Sequence, residues 1–184
     1  MIHRTFSLKT LAFLFAIPFA FVNCMTAAQK PNIVMLLADD HSAADMSVYG
    51  AADIPTPYLD AMASRGMVFE RAFVNSPSCA PSRATLFTGL YPAKNGAEAN
   101  HSKPHQSAKR LPAYLKELGY EVVSFGKVSH YAHVTEQGFD RAENYSYHDH
   151  EGVQASIEFL RQRKGDKPLA LFFGTGERQV PGTC

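Results

Sequence analysis

The sequence predicts an α/β fold built on a mostly parallel sheet flanked by helices. Three apolar runs have the length and composition of buried strands, at residues 32–38, 120–126 and 169–174. Segments with helical periodicity lie between them, and strands that alternate with helices are typical of a parallel sheet with right-handed crossovers. With 184 residues and 46% hydrophobic content, the chain is long and apolar enough for one domain with its own core.

The first elements follow from local patterns. The run 32–38 has no polar interruption, which favours a strand buried on both faces. Residues 41–57 are rich in Gly, Pro, Ser and Ala, and they predict a long loop. A helix is then predicted from Pro57 to about Arg65, followed by a second, shorter strand over 67–73.

The stretch 78–89 predicts a helix that carries chemistry at its start. Pro81 suits the first helical position, and Gly89 favours an end. The expected apolar side consists of Ala84, Leu86, Phe87 and Leu90. Cys79 then lies just ahead of the helix N-terminus, where backbone N–H groups favour an anion, and the planar guanidinium of Arg83 follows one turn later. These features describe a nucleophile beside an oxyanion pocket, although a single cysteine is more often a small buried residue.

The second half continues the alternation of helices and strands. An irregular surface segment at 91–109 is followed by a helix over 111–118 and by a strand over 120–126 that ends at Lys127. The remaining predicted elements are an irregular segment at 130–150, an amphipathic helix over 152–163 and a last buried strand over 169–174.

The N-terminus has the layout of a secretory signal peptide over residues 1–28. Arg4 and Lys9 precede an apolar run, and small residues follow it at Ala27 and Ala28. An uncleaved anchor and lipidation of Cys24 are the alternatives. We therefore expect an exported protein, periplasmic or secreted, with no stable membrane span after cleavage. The formal net charge of +1 and the lack of a basic run argue against a nucleic acid partner.

Removal of that leader leaves Cys79 and Cys184 as the remaining cysteines. A small exported domain stabilised by disulfides would carry more of them. We therefore expect Cys79 to be available for other chemistry, with a bridge to Cys184 as the alternative.

Chemistry-bearing side chains collect where the predicted strands end. Asp39 and Asp40 follow the first strand, and Lys127 and His130 follow the strand that begins at 120. Sites in open α/β sheets form at the carboxyl ends of the strands, so we expect these groups to share one edge. Two adjacent carboxylates there suit a hard divalent cation, while a solvated Asp-Asp turn is an equal alternative on the residues alone.

Other histidines carry weaker signals. His148 and His150 flank an aspartate, which is more typical of a solvated loop than of a zinc site in the absence of two further ligands. His101 and His105 lie in the irregular segment at 91–109, and the sequence leaves open whether they face a substrate.

One motif resembles the signature of the type I sulfatases. Its fixed positions are Cys79, Pro81, Ser82, Arg83, Thr88 and Gly89. The resemblance implies an alkaline-phosphatase-like fold and oxidation of Cys79 to formylglycine. It also implies Ca²⁺ held by Asp39, Asp40 and the modified Cys79, with Arg83 in the same pocket.

The resemblance extends to the second strand end. A Gly-Lys pair followed closely by His is similar to the sequence 126–130, which implies that Lys127 holds a sulfate oxygen and that His130 contacts the modified residue. The spacing from Lys127 to His130 resembles that of iduronate and other glycosaminoglycan sulfatases. His133 is a possible substitute for His130.

The family resemblance implies hydrolysis of aryl or carbohydrate sulfate esters. Its implied partners are a sulfated small molecule or carbohydrate and a formylglycine-generating or anaerobic maturation enzyme. Residues 29–184 would form the N-terminal part of a sulfatase catalytic domain, as a truncated product with weak calcium affinity and low or no activity. The alternatives are a phosphonate or phosphodiester hydrolase of the same superfamily and a catalytically inactive exported fragment.

Overall fold

A parallel sheet forms the centre of the protein. The computed structural model describes residues 29–145 and 148–176, and the strands within them lie in the order β1-β4-β2-β3. Neighbouring strands are parallel throughout. The strand bounds are β1 Ile33–Leu37, β2 Glu121–Gly126, β3 Arg141–Glu143 and β4 Leu169–Gly174. The predicted α/β class and the mostly parallel sheet are confirmed.

Helices connect the strands. Their bounds are α1 Pro57–Ala63, α2 Cys79–Thr88, α3 Pro92–Asn95, α4 Leu111–Glu117 and α5 Asp149–Gln162, with 3₁₀ turns at Ala43–Asp45, Ser47–Tyr49 and Tyr131–Gln137. The short α3, the 3₁₀ turn Tyr131–Gln137 and β3 lie in segments that were predicted to be irregular. Helix α5 begins at Asp149, three residues before the predicted start.

The core divides between the two faces of the sheet. On one face Phe87 of α2 packs with Val122 of β2 and Phe172 of β4. On the other face Val123 and Phe125 of β2 pack with Phe159 of α5 among others. Adjacent residues of β2 serve opposite faces because successive side chains in a strand alternate. This central strand is therefore buried along almost its whole length.

Strand β1 is less buried than the sequence indicates. It lies at an edge of the sheet, and its burial alternates, with Val34 60% and Leu36 57% exposed. The prediction of burial on both faces is wrong for the described residues. An apolar run identifies a strand but does not say whether another layer covers its outer face.

The predicted strand over 67–73 does not form. Met67 and Phe73 are 78% and 87% exposed, and the segment pairs with no described strand. An extended segment becomes a strand only when a neighbour pairs with its backbone groups, and propensity does not supply that neighbour.

Several sequence predictions lie outside the described residues. These are the signal peptide at 1–28, the lipidation of Cys24 and the bridge to Cys184. Within the part of the chain that the structure describes, no helix is long and apolar enough to span a bilayer.

Candidate active site

Three elements bring their polar side chains together at the carboxyl edge of the sheet. Asp39 follows β1, Lys127 follows β2 directly, and Cys79 and Arg83 lie in the first turns of α2. Asp39, Arg83 and Lys127 are all buried. The edge predicted from topology is therefore the edge at which these groups meet.

Asp39 is the centre of the cluster. Arg83 Nη2 donates to its Oδ1 at 2.9 Å, and Lys127 Nζ donates to its Oδ2. The Cys79 thiol lies 3.4 Å from Oδ1 and donates to it. Burial alone would raise the pKa of Asp39, but the hydrogen bonds and charges of Lys127 and Arg83 outweigh burial and hold that pKa below its ordinary value.

Arg83 joins α2 to the ends of two strands. Its Nη1 donates to the carbonyl oxygens of Lys127 and Val128, the latter at 3.1 Å, while Nη2 binds Asp39. An arginine in a first helical turn is usually solvated, whereas this one is buried. The planar fork allows one side chain to satisfy a carboxylate and two backbone carbonyls at once.

Two glycines create the turn that presents Lys127. Gly126 has φ +77°, and a Cβ there would lie 2.0 Å from the carbonyl oxygen of Gly174. A Cβ on Gly174 would lie 2.2 Å from the backbone of Lys127. The close approach lets Lys127 N donate to Gly174 O at 2.9 Å. The end of β4 thus supports the turn at Gly126 that presents Lys127.

Cys79 is the first residue of α2, not the residue ahead of it as predicted, because the helix begins two residues before Pro81. Proline is tolerated within a first turn, where backbone N–H groups lack helical partners. Helix α2 ends at Gly89 as predicted, with φ +68°. The predicted apolar side is wrong in part, since Leu86 and Leu90 are exposed while Ala84 and Phe87 are buried.

The thiol of Cys79 is held in its protonated form. Burial raises its pKa, and the neighbouring carboxylate of Asp39 raises it further. Both effects outweigh the opposing charges of Lys127 and Arg83. A protonated thiol is a poor nucleophile, so this arrangement does not activate the cysteine as encoded.

His130 lies in the chain beyond β2 and is buried. Its Nε2 is 2.8 Å from Nδ1 of His101, and the ring of His133 lies 5.9 Å away between centroids. Burial, then the charges of His101 and Lys127, lower the pKa of His130 to about 4. His130 is therefore a neutral imidazole at pH 7.

A cleft of about 360 Å³ opens beside the cluster, between the chain after β1 and the start of α2. Its lining includes Asp39, Asp40, Ser78, Cys79 and Arg83. His130 and Lys127 do not line this cleft. The predicted site residues therefore form two groups, one on the open cleft and one buried behind it.

The structure does not bring the other candidate ligands together. Asp40 is exposed on the cleft with φ +50°, whereas Asp39 is buried in ion pairs. Asp149, between His148 and His150, accepts from Gly176 N. Within residues 29–145 and 148–176, no group of three or more His, Cys, Asp and Glu side chains is arranged to hold a metal ion.

A sequence profile of the sulfatase family matches residues 31–176. The chain belongs to the sulfatase family. It is 47% identical over 100 residues to the ulvan-active sulfatase of Formosa agariphila, covering 54% of this chain and 20% of that protein. It is 41% identical over 114 residues to the N-acetylgalactosamine-6-sulfatase of Rattus norvegicus, covering 55% and 22% of the two chains.

A further relative matches over more of this sulfatase chain. The N-acetylglucosamine-6-O-sulfatase of Bacteroides thetaiotaomicron is 32% identical over 170 residues, covering 79% of this chain and 30% of that protein. This chain thus spans roughly a fifth to a third of the length of the three relatives.

Solved structures agree with the family. One, in complex with its substrate D-glucosamine-2-N,6-O-disulfate, matches with a TM-score of 0.73 and 25% identity over 83% of this chain and 35% of that chain. The phosphonate monoester hydrolase of Agrobacterium radiobacter shares the fold, with a TM-score of 0.71 and 20% identity over 83% and 42% of the two chains.

Two contributors to the site were not identified from the sequence. Gly174 was predicted only as the end of a strand, and a glycine at a strand end in an α/β sheet is the signal that could have marked a close backbone approach. His101 was left undecided, because nothing in sequence spacing brings it to His130 across 29 positions.

Proposed function

We propose that this sulfatase-family protein contributes the nucleophile-bearing part of a site that hydrolyses sulfate esters. The observation that carries the proposal is the convergence of Cys79, Arg83 and Lys127 on Asp39. Four groups of these types, brought together from three elements around a cleft, suit an anionic substrate.

Cys79 is proposed as the site of conversion to formylglycine by a formylglycine-generating or anaerobic maturation enzyme. The raised pKa of its thiol leaves the unmodified side chain a poor nucleophile. The hydrated aldehyde would supply one hydroxyl for attack on sulfur, with loss of the substrate alcohol. Its second hydroxyl would then lose a proton, which expels sulfate and restores the aldehyde. The partial exposure of Cys79 and its place on the cleft are compatible with both steps.

Arg83 and Lys127 are proposed to offset the negative charge that develops on the sulfuryl oxygens. Both are buried and held in place before substrate arrives, so little reorganisation is needed during the reaction. Neutral His130 is proposed as a neighbour of the modified Cys79, where an uncharged imidazole can hydrogen-bond at pH 7.

A calcium ion is the proposed cofactor. Asp39 and Asp40 offer the hard oxygen ligands that Ca²⁺ prefers, and an oxygen on modified Cys79 would add a third. A bound cation would offset the two carboxylates, so that Arg83 and Lys127 could act on the anionic substrate. When bound, Ca²⁺ would polarise an oxygen ligand and lower the pKa of a coordinated hydroxyl. Ca²⁺ takes six to eight ligands, so we expect weak binding by this set alone.

The proposed substrates are carbohydrate sulfate esters. The named relatives act on ulvan, N-acetylgalactosamine-6-sulfate and N-acetylglucosamine-6-O-sulfate, as their names state. We also propose that residues 1–28 form a cleaved export signal and that residues 29–184 contribute to a sulfatase catalytic domain in the periplasm or outside the cell.

The proposal is tested by producing the chain with and without a maturation enzyme. Peptide mass spectrometry should detect replacement of the Cys79 side chain CH₂–SH by CHO in the first sample only. Hydrolysis of an aryl sulfate should follow that modification and be absent in Cys79→Ala. Equal turnover by modified and unmodified chains would defeat the proposal, and preference for an aryl phosphonate ester would favour the phosphonate hydrolase alternative.

Calcium is tested separately by titration calorimetry of the chain with CaCl₂. We expect weak binding that is reduced in Asp40→Asn, which is exposed and so removes a ligand charge with little effect on packing. Glu98→Gln, an exposed acidic residue that does not line the cleft, is the control. No heat of binding, or equal binding by both variants, would argue for the inactive fragment.

A further inference from the structure

We infer that His101 is a positioning residue that sets the tautomer and ring orientation of His130 in the proposed sulfatase site. His130 Nε2 and His101 Nδ1 are 2.8 Å apart, and the two rings meet edge to face with centroids 4.7 Å apart. A hydrogen bond between two neutral imidazoles holds one proton on the line between them. The state of one ring therefore decides the state of the other.

The segment carrying His101 is held by polar contacts on several sides. Asn95 is fully buried, and its side chain binds Leu90 O at 3.0 Å and Ala97 N at 2.8 Å. Asn100 accepts from Ala80 N at the start of α2. The segment before and beside His101 is thus fixed to the same helix that carries Cys79.

A second tether lies on the far side of His101. Lys103 forms an ion pair with Glu136 at 2.6 Å, which joins the segment to the 3₁₀ turn beyond His130. His101 itself has φ +67°, a left-handed conformation that is uncommon for residues other than glycine, although histidine adopts it more often than most. Such strain persists where surrounding contacts hold the residue in place.

Other charged or titratable groups also lie around His130. Lys127 and Arg83 act on it through their charges, and His133 through charge and a ring contact. The contact between His130 Nε2 and His101 Nδ1 joins the two rings directly at ring nitrogens. His101 is therefore a residue that selects which nitrogen of His130 carries the proton.

The inference is tested by ¹⁵N NMR of the histidine rings at about pH 8, where ordinary histidines are neutral. Because one proton lies between His130 Nε2 and His101 Nδ1, both rings should be protonated on Nε2 or both on Nδ1. In His101→Gly, which suits a positive φ and removes the ring, His130 should become a mixture of tautomers. His101→Asn also suits that φ and keeps a polar atom near the position of Nδ1, so it should restore one tautomer.

His133→Asn is the matched control and should leave the His130 tautomer unchanged. Opposite tautomers of the two rings in the unsubstituted chain, or a His130 spectrum unaltered in His101→Gly, would overturn the inference.

The catalytic consequence of this inference rests on the proposed function, so sulfatase activity is measured as a separate arm of the test. In the chain whose Cys79 has been converted to formylglycine, His101→Gly should lower kcat at least about 10-fold with a smaller change in KM. His101→Asn should recover most of the lost kcat. If the tautomers behave as expected but matured chain has no sulfatase activity, the proposed function fails and the histidine pair stands. If activity is present and His101→Gly leaves both kcat and the tautomer unchanged, the pair fails and the proposed function stands.

Discussion

At the scale of single residues, the site is organised by one buried carboxylate. Asp39 accepts hydrogen bonds from Arg83, Lys127 and Cys79, all of which are far from it in sequence. The sequence predicted Asp39 and Lys127 for this edge, and the family resemblance implied that Cys79 and Arg83 share their pocket. It did not predict that Asp39 and Lys127 would bind each other, because pairing across 88 positions depends on how the strands are ordered in the sheet.

The guanidinium of Arg83 should be irreplaceable even by another cation. Lys at this position keeps the charge but loses the donors to the carbonyls of Lys127 and Val128. Leaving buried acceptors without donors costs about 1–3 kcal/mol, so Arg83→Lys should lower the free energy of unfolding by that order. Urea denaturation measures it.

The control is Arg141→Lys, at a partly exposed pair with Glu143 that should change stability by less than about 1 kcal/mol. Equal losses in the two variants would show that the hydrogen bonds from Arg83 to the two backbone carbonyls add no stability.

His130 makes stability depend on pH. Its folded pKa of about 4 lies below the ordinary value of 6.5, so between these values the unfolded chain binds a proton that the folded chain does not. Stability should therefore fall as pH drops from 6.5 toward 4, by at most about 1.4 kcal/mol per pH unit for this group. Urea midpoints across this range should be less pH-dependent in His130→Gln. An unchanged slope in that variant would assign the effect elsewhere.

Asp39 adds a contribution at lower pH. Its folded pKa is depressed, so the stability it supplies is present above the unfolded value of 3.8 and is lost as pH falls through the folded value. The two groups thus destabilise the folded chain in successive acidic ranges.

At the scale of elements, helix α2 and the ends of β2 and β4 form the frame of the site. Sequence patterns located the three elements closely, since an apolar run and a Pro-to-Gly segment are local signals. Burial of β1 was mispredicted and the strand over 67–73 did not form, because both depend on neighbours that local sequence does not specify. Within this frame, the turn at Gly126 depends on a close backbone contact with Gly174.

Gly126→Ala should damage both folding and the placement of Lys127. The new Cβ would meet Gly174 O at 2.0 Å, in addition to the strain of a positive φ. Gly119→Ala is the matched control, because Gly119 has φ +87° but nothing within 4 Å of its Cβ position. The control should lose about 1–2 kcal/mol from φ alone, and Gly126→Ala distinctly more, as measured by urea denaturation. Equal losses would mean that the two backbones can separate without cost.

At the scale of the whole molecule, the described chain has a core on both faces of the sheet and exposed apolar side chains on its edge strand β1. The core lies between α2 and α4 on one face and α5 on the other, while β1 exposes apolar side chains at the edge of the sheet. Exposed apolar residues on an edge strand are a template for association, and natural proteins often oppose it with lysine.

Light scattering should therefore detect association of this chain as its concentration rises. Val34→Lys should reduce it with little change in melting temperature, because Val34 is 60% exposed. Met35→Lys, one position along on the face that packs against the core, is the control and should lower the melting temperature strongly. Association that is unaltered by Val34→Lys would place the contact on another surface.

The sequence by itself determined the fold class, the family and the residues that meet at the carboxyl edge of the sheet. Those properties follow from local signals: hydrophobic period, helix ends and a motif of fixed spacing around Cys79. The tertiary structure decided how the residues pair. It buried Arg83 and Lys127 against Asp39, raised the pKa of the Cys79 thiol, and joined His101 to His130. These outcomes depend on strand order, burial and close backbone approaches, which arise only when distant segments pack together.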